Sequence, residues 1–249
     1  MGAEDVKLFI AGEWTEGTGD EFYKLVSPAT GEHIANIPIA SRADVDRAVA
    51  AAHTAQEEIK FWSPFERAEV CYRMADAIDA NAEEIARIQT LEQGKPYFSE
   101  SLGDVASASA NLRKAAEDVK RLSGENRPSS DRNKRVFTFR RPIGVWAAIT
   151  PFNFPITTPV EYIAPGFATG NTVIVKPPEF TSWALLKMAE AFVDVGLPAG
   201  TISILPGAGA VGEMLTDHPG VDAIGFTGST ATGAKILSKM GIKRSASGR

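Results

Sequence analysis

Hydrophobic and polar positions along the chain fall into three successive rhythms. Residues 7–10 and 22–26 are short apolar stretches on either side of a Gly/Thr-rich turn around Thr15 to Gly19, and Ser27-Pro28-Ala29-Thr30-Gly31 supplies a second turn. This pattern predicts a small β lead-in. From 41 to 123 the apolar positions recur at helical spacing. There Ser63-Pro64-Phe65-Glu66 combines an N-cap serine, a proline at the first helical position and a capping-box glutamate, and Gly94 is a stop signal. Phe65, Ala68, Cys71, Ala75, Ile78, Ala82 and Ile85 predict one buried stripe. The polar run 123–135, with Gly124, Pro128 and paired serines, reads as a linker, and Val136-Phe137-Thr138-Phe139 alternates as a strand.

The third rhythm begins at Ile143. Apolar strands at 144–150, 172–176, 202–205 and 222–226 alternate with helical stretches, the second of which starts from Ser182. Such a βαβ series predicts an α/β fold, a Rossmann-like parallel sheet with helices on both faces. The chain shows no internal repeat and no low-complexity tract.

Composition narrows the function classes. With 249 residues, 44% hydrophobic and 23% charged, the chain can bury a sizeable core. Lys and Arg number 26 against 31 Asp and Glu, a net charge of −5 with neither sign gathered into blocks. That argues against a nucleic-acid partner and against a basic membrane-surface helix. The start, Met1-Gly2-Ala3-Glu4-Asp5, is acidic and lacks a secretory leader pattern, and the apolar stretch 143–149 is too short to span a bilayer. A single cysteine excludes an internal disulfide and fits a reducing compartment, so a cytoplasmic location is expected. His33, His53 and His218 are scattered and form no metal or triad pattern.

Four segments carry candidate chemistry. Gly207-Ala208-Gly209-Ala210-Val211-Gly212 has the spacing of the dinucleotide fingerprint, but it follows the third strand of the series, and Asp222 begins the next strand instead of ending it; a tight packing turn describes it equally. Phe226-Thr227-Gly228-Ser229-Thr230 is a strand-to-helix junction whose amides could meet an anion, or simply a capped helix start. Lys176-Pro177-Pro178-Glu179 puts a cation and a carboxylate at the end of a strand, where open α/β sheets bind ligands; a surface ion pair is the alternative. Pro151-Phe152-Asn153-Phe154-Pro155 holds an amide that could donate to an oxyanion, or an Asx-turn that satisfies its own backbone.

Together and in this order, the four segments resemble the aldehyde dehydrogenase superfamily. The likeness extends over the whole chain, since Phe9-Ile10-Ala11-Gly12-Glu13-Trp14, Ser27-Pro28-Ala29-Thr30-Gly31 and Glu92-Gln93-Gly94-Lys95-Pro96 also look like family signatures. The resemblance implies oxidation of an aldehyde to an acid or acyl thioester, with a cysteine thiohemiacetal as intermediate and NAD as coenzyme, NADP being less favoured. It implies that Asn153 donates to the oxyanion and that Lys176 and Glu179 bind the adenosine ribose. Ser229 would hold the pyrophosphate, with Phe226, Thr227 and Gly228 leading into it. Gly207 and Gly209 would lie on the adenine side, and Ile149, Thr150, Pro151 and Phe152 would complete the coenzyme site. Residues 1–122 and 142–249 would form the NAD-binding domain, and 123–141 an arm that joins a partner subunit in a homodimer or homotetramer.

Relatives continue into a Glu-Leu-Gly-Gly segment with a general-base glutamate and then a cysteine nucleophile, whereas Lys243-Arg244-Ser245-Ala246-Ser247-Gly248-Arg249 is polar. The chain is therefore expected to hold the coenzyme half, with the catalytic domain absent, and to be inactive alone. A stand-alone nucleotide-binding module is the alternative. Cys71, on the apolar stripe with no basic neighbour on its face, is expected to be an inert buried thiol. Thr157, Thr158 and Glu161 are candidate channel residues whose polarity would suit a polar or oxo-acid aldehyde, unless they simply face solvent.

Overall fold

Ser41 and Ser63 each open a helix with a complete capping box: each hydroxyl accepts from the N3 amide while the N3 carboxylate, Asp44 or Glu66, accepts from the cap's own amide. A computed structural model describes residues 3–247. The N-terminal strands are β1 (Glu4–Asp5), β2 (Leu8–Ile10), β3 (Glu13–Thr15), β4 (Phe22–Val26) and β5 (His33–Pro38). Helices α1 (Arg42–Ile59), α2 (Pro64–Ala80), α3 (Ala82–Gln93) and α4 (Leu102–Val119) follow, with a π-turn at Tyr97–Ser101 before α4. The remainder comprises β6 (Asn126–Arg127), β7 (Val136–Phe137), β8 (Val145–Ile149), α5 (Thr157–Ala168), β9 (Thr172–Lys176), α6 (Trp183–Glu190), β10 (Ile202–Ile204), α7 (Gly209–Asp217), β11 (Ala223–Phe226) and α8 (Thr230–Ser247).

The predicted single stripe is corrected. Asn81 ends α2, so Ala82 and Ile85 belong to α3. Phe65 stands 67% exposed in the first turn of α2, where no element packs over it, and the buried face runs through Ala68, Cys71, Met74, Ala75 and Ile78. Gly94 stops α3 as expected, in the left-handed conformation at φ 77°. The segment 123–135 is not purely a linker, because β6 within it pairs antiparallel with β7 in an exposed two-stranded ribbon.

The main sheet has the order β11-β8-β9-β10-β2-β3. Its first four strands are parallel, as the βαβ rhythm predicts, and β2 joins antiparallel through Ile204 opposite Phe9. The β lead-in is thus divided: β2 and β3 extend the large sheet, while β1, β5 and β4 form a separate three-stranded sheet. Alternate strand residues face opposite layers. Val173 and Val175 point into the core made with α2 to α6, and Ile174 into the core made with α1 and α7. Helices therefore cover both faces, which is what makes β9 read as a continuous apolar run.

Strand order locates the site. From β8 the chain steps to β9 and β10 on one side, then returns to place β11 on the other. The carboxyl end of β8 is consequently a topological switch point, where an open α/β sheet leaves a crevice between diverging connections.

Candidate coenzyme site

A cleft of about 840 Å³ opens at that switch point. Ile149, Thr150, Pro151 and Phe152 line it from the end of β8, and Lys176 from the end of β9. Phe226, Thr227, Gly228 and Ser229 line it from the end of β11, and Gly209 from the start of α7. Asn153 shares the same wall. Of the coenzyme-site residues expected from the sequence, Gly207 lies outside the lining, and so does Glu179. The latter begins the 3-10 turn Glu179–Thr181, one residue past the lining residue Pro178, half-buried and close enough to Lys176 to favour its charged form.

The sequence missed the far walls of the cleft. Glu213 and Thr216 on α7, and Thr232, Lys235, Ile236 and Lys239 on α8, also line it. Their signal was helical spacing: Gly209, Gly212, Glu213 and Thr216 share one face of α7, and Ser229, Thr232, Ile236 and Lys239 recur likewise on α8. Lys239 ties the helices together by pairing with Glu213 and, at 2.9 Å, with Asp217.

The chemistry of the lining suits a phosphorylated, hydroxyl-bearing ligand. Lys176 is buried and donates to the Gly207 carbonyl at 2.8 Å; burial lowers its pKa to about 8, and Glu179 only partly opposes this. Two helix N-termini reach the cleft. The Ser229 hydroxyl accepts from the Thr232 amide at 3.2 Å and so caps α8, leaving the Thr230 and Ala231 amides without intrahelical acceptors. Ala208, at the start of α7, has no side-chain acceptor to offer.

The glycine-rich loop divides by role. A Cβ on Gly207 would lie 2.3 Å from Val211 Cγ2, so that glycine is required by packing, whereas a Cβ on Gly209 would meet no protein atom within 4 Å. Packing does not demand the open space at Gly209, and it faces the cleft. Thr150 Oγ1, also at the lining, is a buried hydroxyl without a partner among the described residues. A cation, an orphaned hydroxyl, two N-termini and a glycine with room beside it together fit a dinucleotide.

Asn153 is exposed, and its carboxamide makes no hydrogen bond among the described residues, so the Asx-turn alternative does not hold. The candidate channel residues do not share a wall. The Thr157 amide donates to Asp104 Oδ1 at 3.0 Å and its hydroxyl to the Asp104 carbonyl at 2.9 Å. Thr158 is buried, and Glu161 lines a separate hollow of about 350 Å³ between α4 and α5 with Asn111, Lys114 and Asp118. The polarity of the two threonines is satisfied or enclosed within the fold and says nothing about an aldehyde. Cys71 is fully buried with its pKa pushed up to about 12, as an inert thiol requires. The expectation that it has no basic neighbour is corrected: Arg67, one turn earlier, acts on it weakly in the opposite direction, and burial dominates.

The sequence model of the Aldehyde dehydrogenase family matches residues 14–247. The chain belongs to the aldehyde dehydrogenase family. An aldehyde dehydrogenase of Enchytraeus buchholzi is 36% identical over 242 residues, covering 96% of this chain and 48% of that protein. The NAD+ complex of an aldehyde dehydrogenase from Bacillus cereus superposes with a TM-score of 0.93 at 33% identity, covering 96% of this chain and 49% of that one. A 3,6-anhydro-L-galactose dehydrogenase in complex with NADP gives 0.91 at 30% identity, covering 96% and 50%. The chain thus spans about half the length of the aldehyde dehydrogenases it matches. The α/β fold is that of the family's coenzyme-binding region, and among the described residues no helix is long and apolar enough to cross a membrane.

Proposed function

We propose that this chain is the NAD-binding half of an aldehyde dehydrogenase that oxidises a small-molecule aldehyde in the cytoplasm. The observation that carries the reading is convergence: segments that are separately ambiguous in the sequence meet in one cleft at the switch point of the sheet. In this reading Lys176 and Glu179 hold the adenosine ribose. Ser229 and the first turn of α8 hold the pyrophosphate, with Thr227 and Gly228 leading into that turn and Phe226 bounding it. Gly209 borders the adenine, and Ile149 to Phe152 form the floor beneath the nicotinamide half. When bound, the coenzyme supplies the hydride acceptor. Asn153, at the end of the same floor, donates its amide to the oxygen of the reacting carbonyl.

In this reading the nucleophile comes from residues outside this chain, because its one thiol is enclosed and held protonated, and the general base is supplied with it, as the family resemblance implies. The exposed ribbon formed by β6 and β7, within residues 123–141, is the arm through which the complete enzyme forms a homodimer or homotetramer.

NAD is favoured over NADP because a carboxylate at Glu179 accepts from ribose hydroxyls and repels a 2′-phosphate. Titration of the two coenzymes tests this assignment. Tighter binding of NAD, with the preference narrowed in Glu179→Gln, is the expected result, and equal affinities in the unaltered protein would refute it.

A further inference from the structure

The signature Glu92-Gln93-Gly94-Lys95-Pro96 has no role in the coenzyme site as described, yet it meets the Asn153 segment at three consecutive residues. Gln93 Nε2 donates to the Phe152 carbonyl at 2.9 Å, Lys95 Nζ donates to the Asn153 carbonyl at 2.9 Å, and Lys95 Nζ also lies 4.1 Å from the centre of the Phe154 ring. Residues 151–155 form no helix or strand, so no regular backbone ladder holds them. The Asn153 carboxamide has no hydrogen-bond partner among the described residues. No bond of its own holds the carboxamide, so its placement depends on the backbone that carries it, and the carbonyl of that backbone is held by Lys95.

Lys95 is itself fixed. Its side chain is 11% exposed and pairs at 3.4 Å with Asp104, whose own side chain is 1% exposed. Asp104 reaches the other end of the same segment, accepting from the Thr157 amide where α5 begins. Gly94 makes the arrangement possible. Its left-handed φ of 77° turns the chain out of α3 between Gln93 and Lys95, and a Cβ there would press on Pro28 Cγ at 3.0 Å.

We propose that Lys95 is a positioning residue that fixes Asn153 for its oxyanion role, with Asp104 as its anchor. The proposal rests on the reading of Asn153 given above. A partly buried ammonium bridging a carbonyl, a carboxylate and an aromatic face is a stiff support, and charge-assisted bonds of this kind are stronger than neutral ones. A donor aimed at a developing charge is sensitive to its support, since small displacements in a reacting geometry carry large rate penalties.

Two measurements test the proposal. In the 249-residue chain, hydrogen–deuterium exchange of the peptide covering 151–160 should rise about tenfold in Lys95→Met, with β9 and α7 unchanged and Lys95→Arg restoring protection. In the full-length enzyme, Lys95→Met should lower kcat roughly 10-fold to 100-fold with the KM for NAD unmoved, and Lys95→Arg should recover much of the loss. Since Lys95→Met leaves Asp104 buried without its cation, the double variant Lys95→Met/Asp104→Asn repeats both measurements in a charge-balanced background. Unchanged exchange in 151–160, or an unchanged kcat beside a normal loss in Asn153→Ala, would overturn the positioning role alone. If Asn153→Ala itself leaves kcat unchanged, the oxyanion reading fails and the proposal with it.

Discussion

Lys176 Nζ and the Gly207 carbonyl, 2.8 Å apart, join the end of β9 to the glycine-rich loop that follows β10. The cation of the cleft is thus anchored on backbone, and burial brings its pKa down to about 8. In the proposed site, bonds from its ammonium to ribose hydroxyls would favour the protonated form, so NAD affinity is expected to be full below about pH 8 and to fall as pH rises through that value. Calorimetric titration across that range checks this. Lys176→Met should bind more weakly with a flat profile, and a wild-type profile that is equally flat would contradict the assignment.

Asn153→Ala in the complete enzyme should lower kcat by roughly 10²-fold to 10³-fold, the usual cost of one oxyanion donor, with NAD binding little changed. Steady-state kinetics with both substrates varied separates the two effects. A loss confined to coenzyme affinity would place Asn153 in binding instead of chemistry.

Glu92 is buried and accepts from the Trp183 and Ala184 amides at 2.8 and 3.1 Å, capping α6 from another helix. Burial raises its pKa from 4.5 to about 8, with the two amide bonds opposing. A folded-state value above the unfolded one contributes stability that is full below pH 4.5 and is lost as pH rises through about 8. Thermal melts over that interval should show the wild type losing stability relative to Glu92→Gln, by on the order of a few kcal/mol at most. Parallel curves would show that Glu92 does not change protonation on folding.

The chain alone should produce no NADH from any aldehyde, because its only thiol is enclosed and essentially undissociated at neutral pH. Iodoacetamide should leave Cys71 unmodified in the native protein and label it after denaturation, read by intact mass. Sustained NADH formation by the purified chain would require a nucleophile other than Cys71.

What the sequence determined was local. Ser41, Ser63 and Gly94 bound helices through bonds to residues one turn away. The strands at 172–176 and 202–205 announce a parallel sheet because they alternate with helical stretches, and the segments around Asn153, Lys176, Gly209 and Ser229 were legible as strand ends and turns. Their ambiguity was local too, since a capped helix start and an anion site share residues.

Tertiary structure decided which readings apply, by bringing together groups that no sequence spacing relates. β2 pairs with β10 from the far end of the chain, which splits the lead-in between two sheets. Glu92 caps a helix about ninety residues away, and Lys95 and Asp104 hold a segment more than fifty residues on. Phe65 sits at the right helical position yet faces solvent, because periodicity gives a residue's direction along its helix but not whether another element lies there. Buried polar groups must find partners wherever the packed chain supplies them, and that condition can be met only once the layers are assembled.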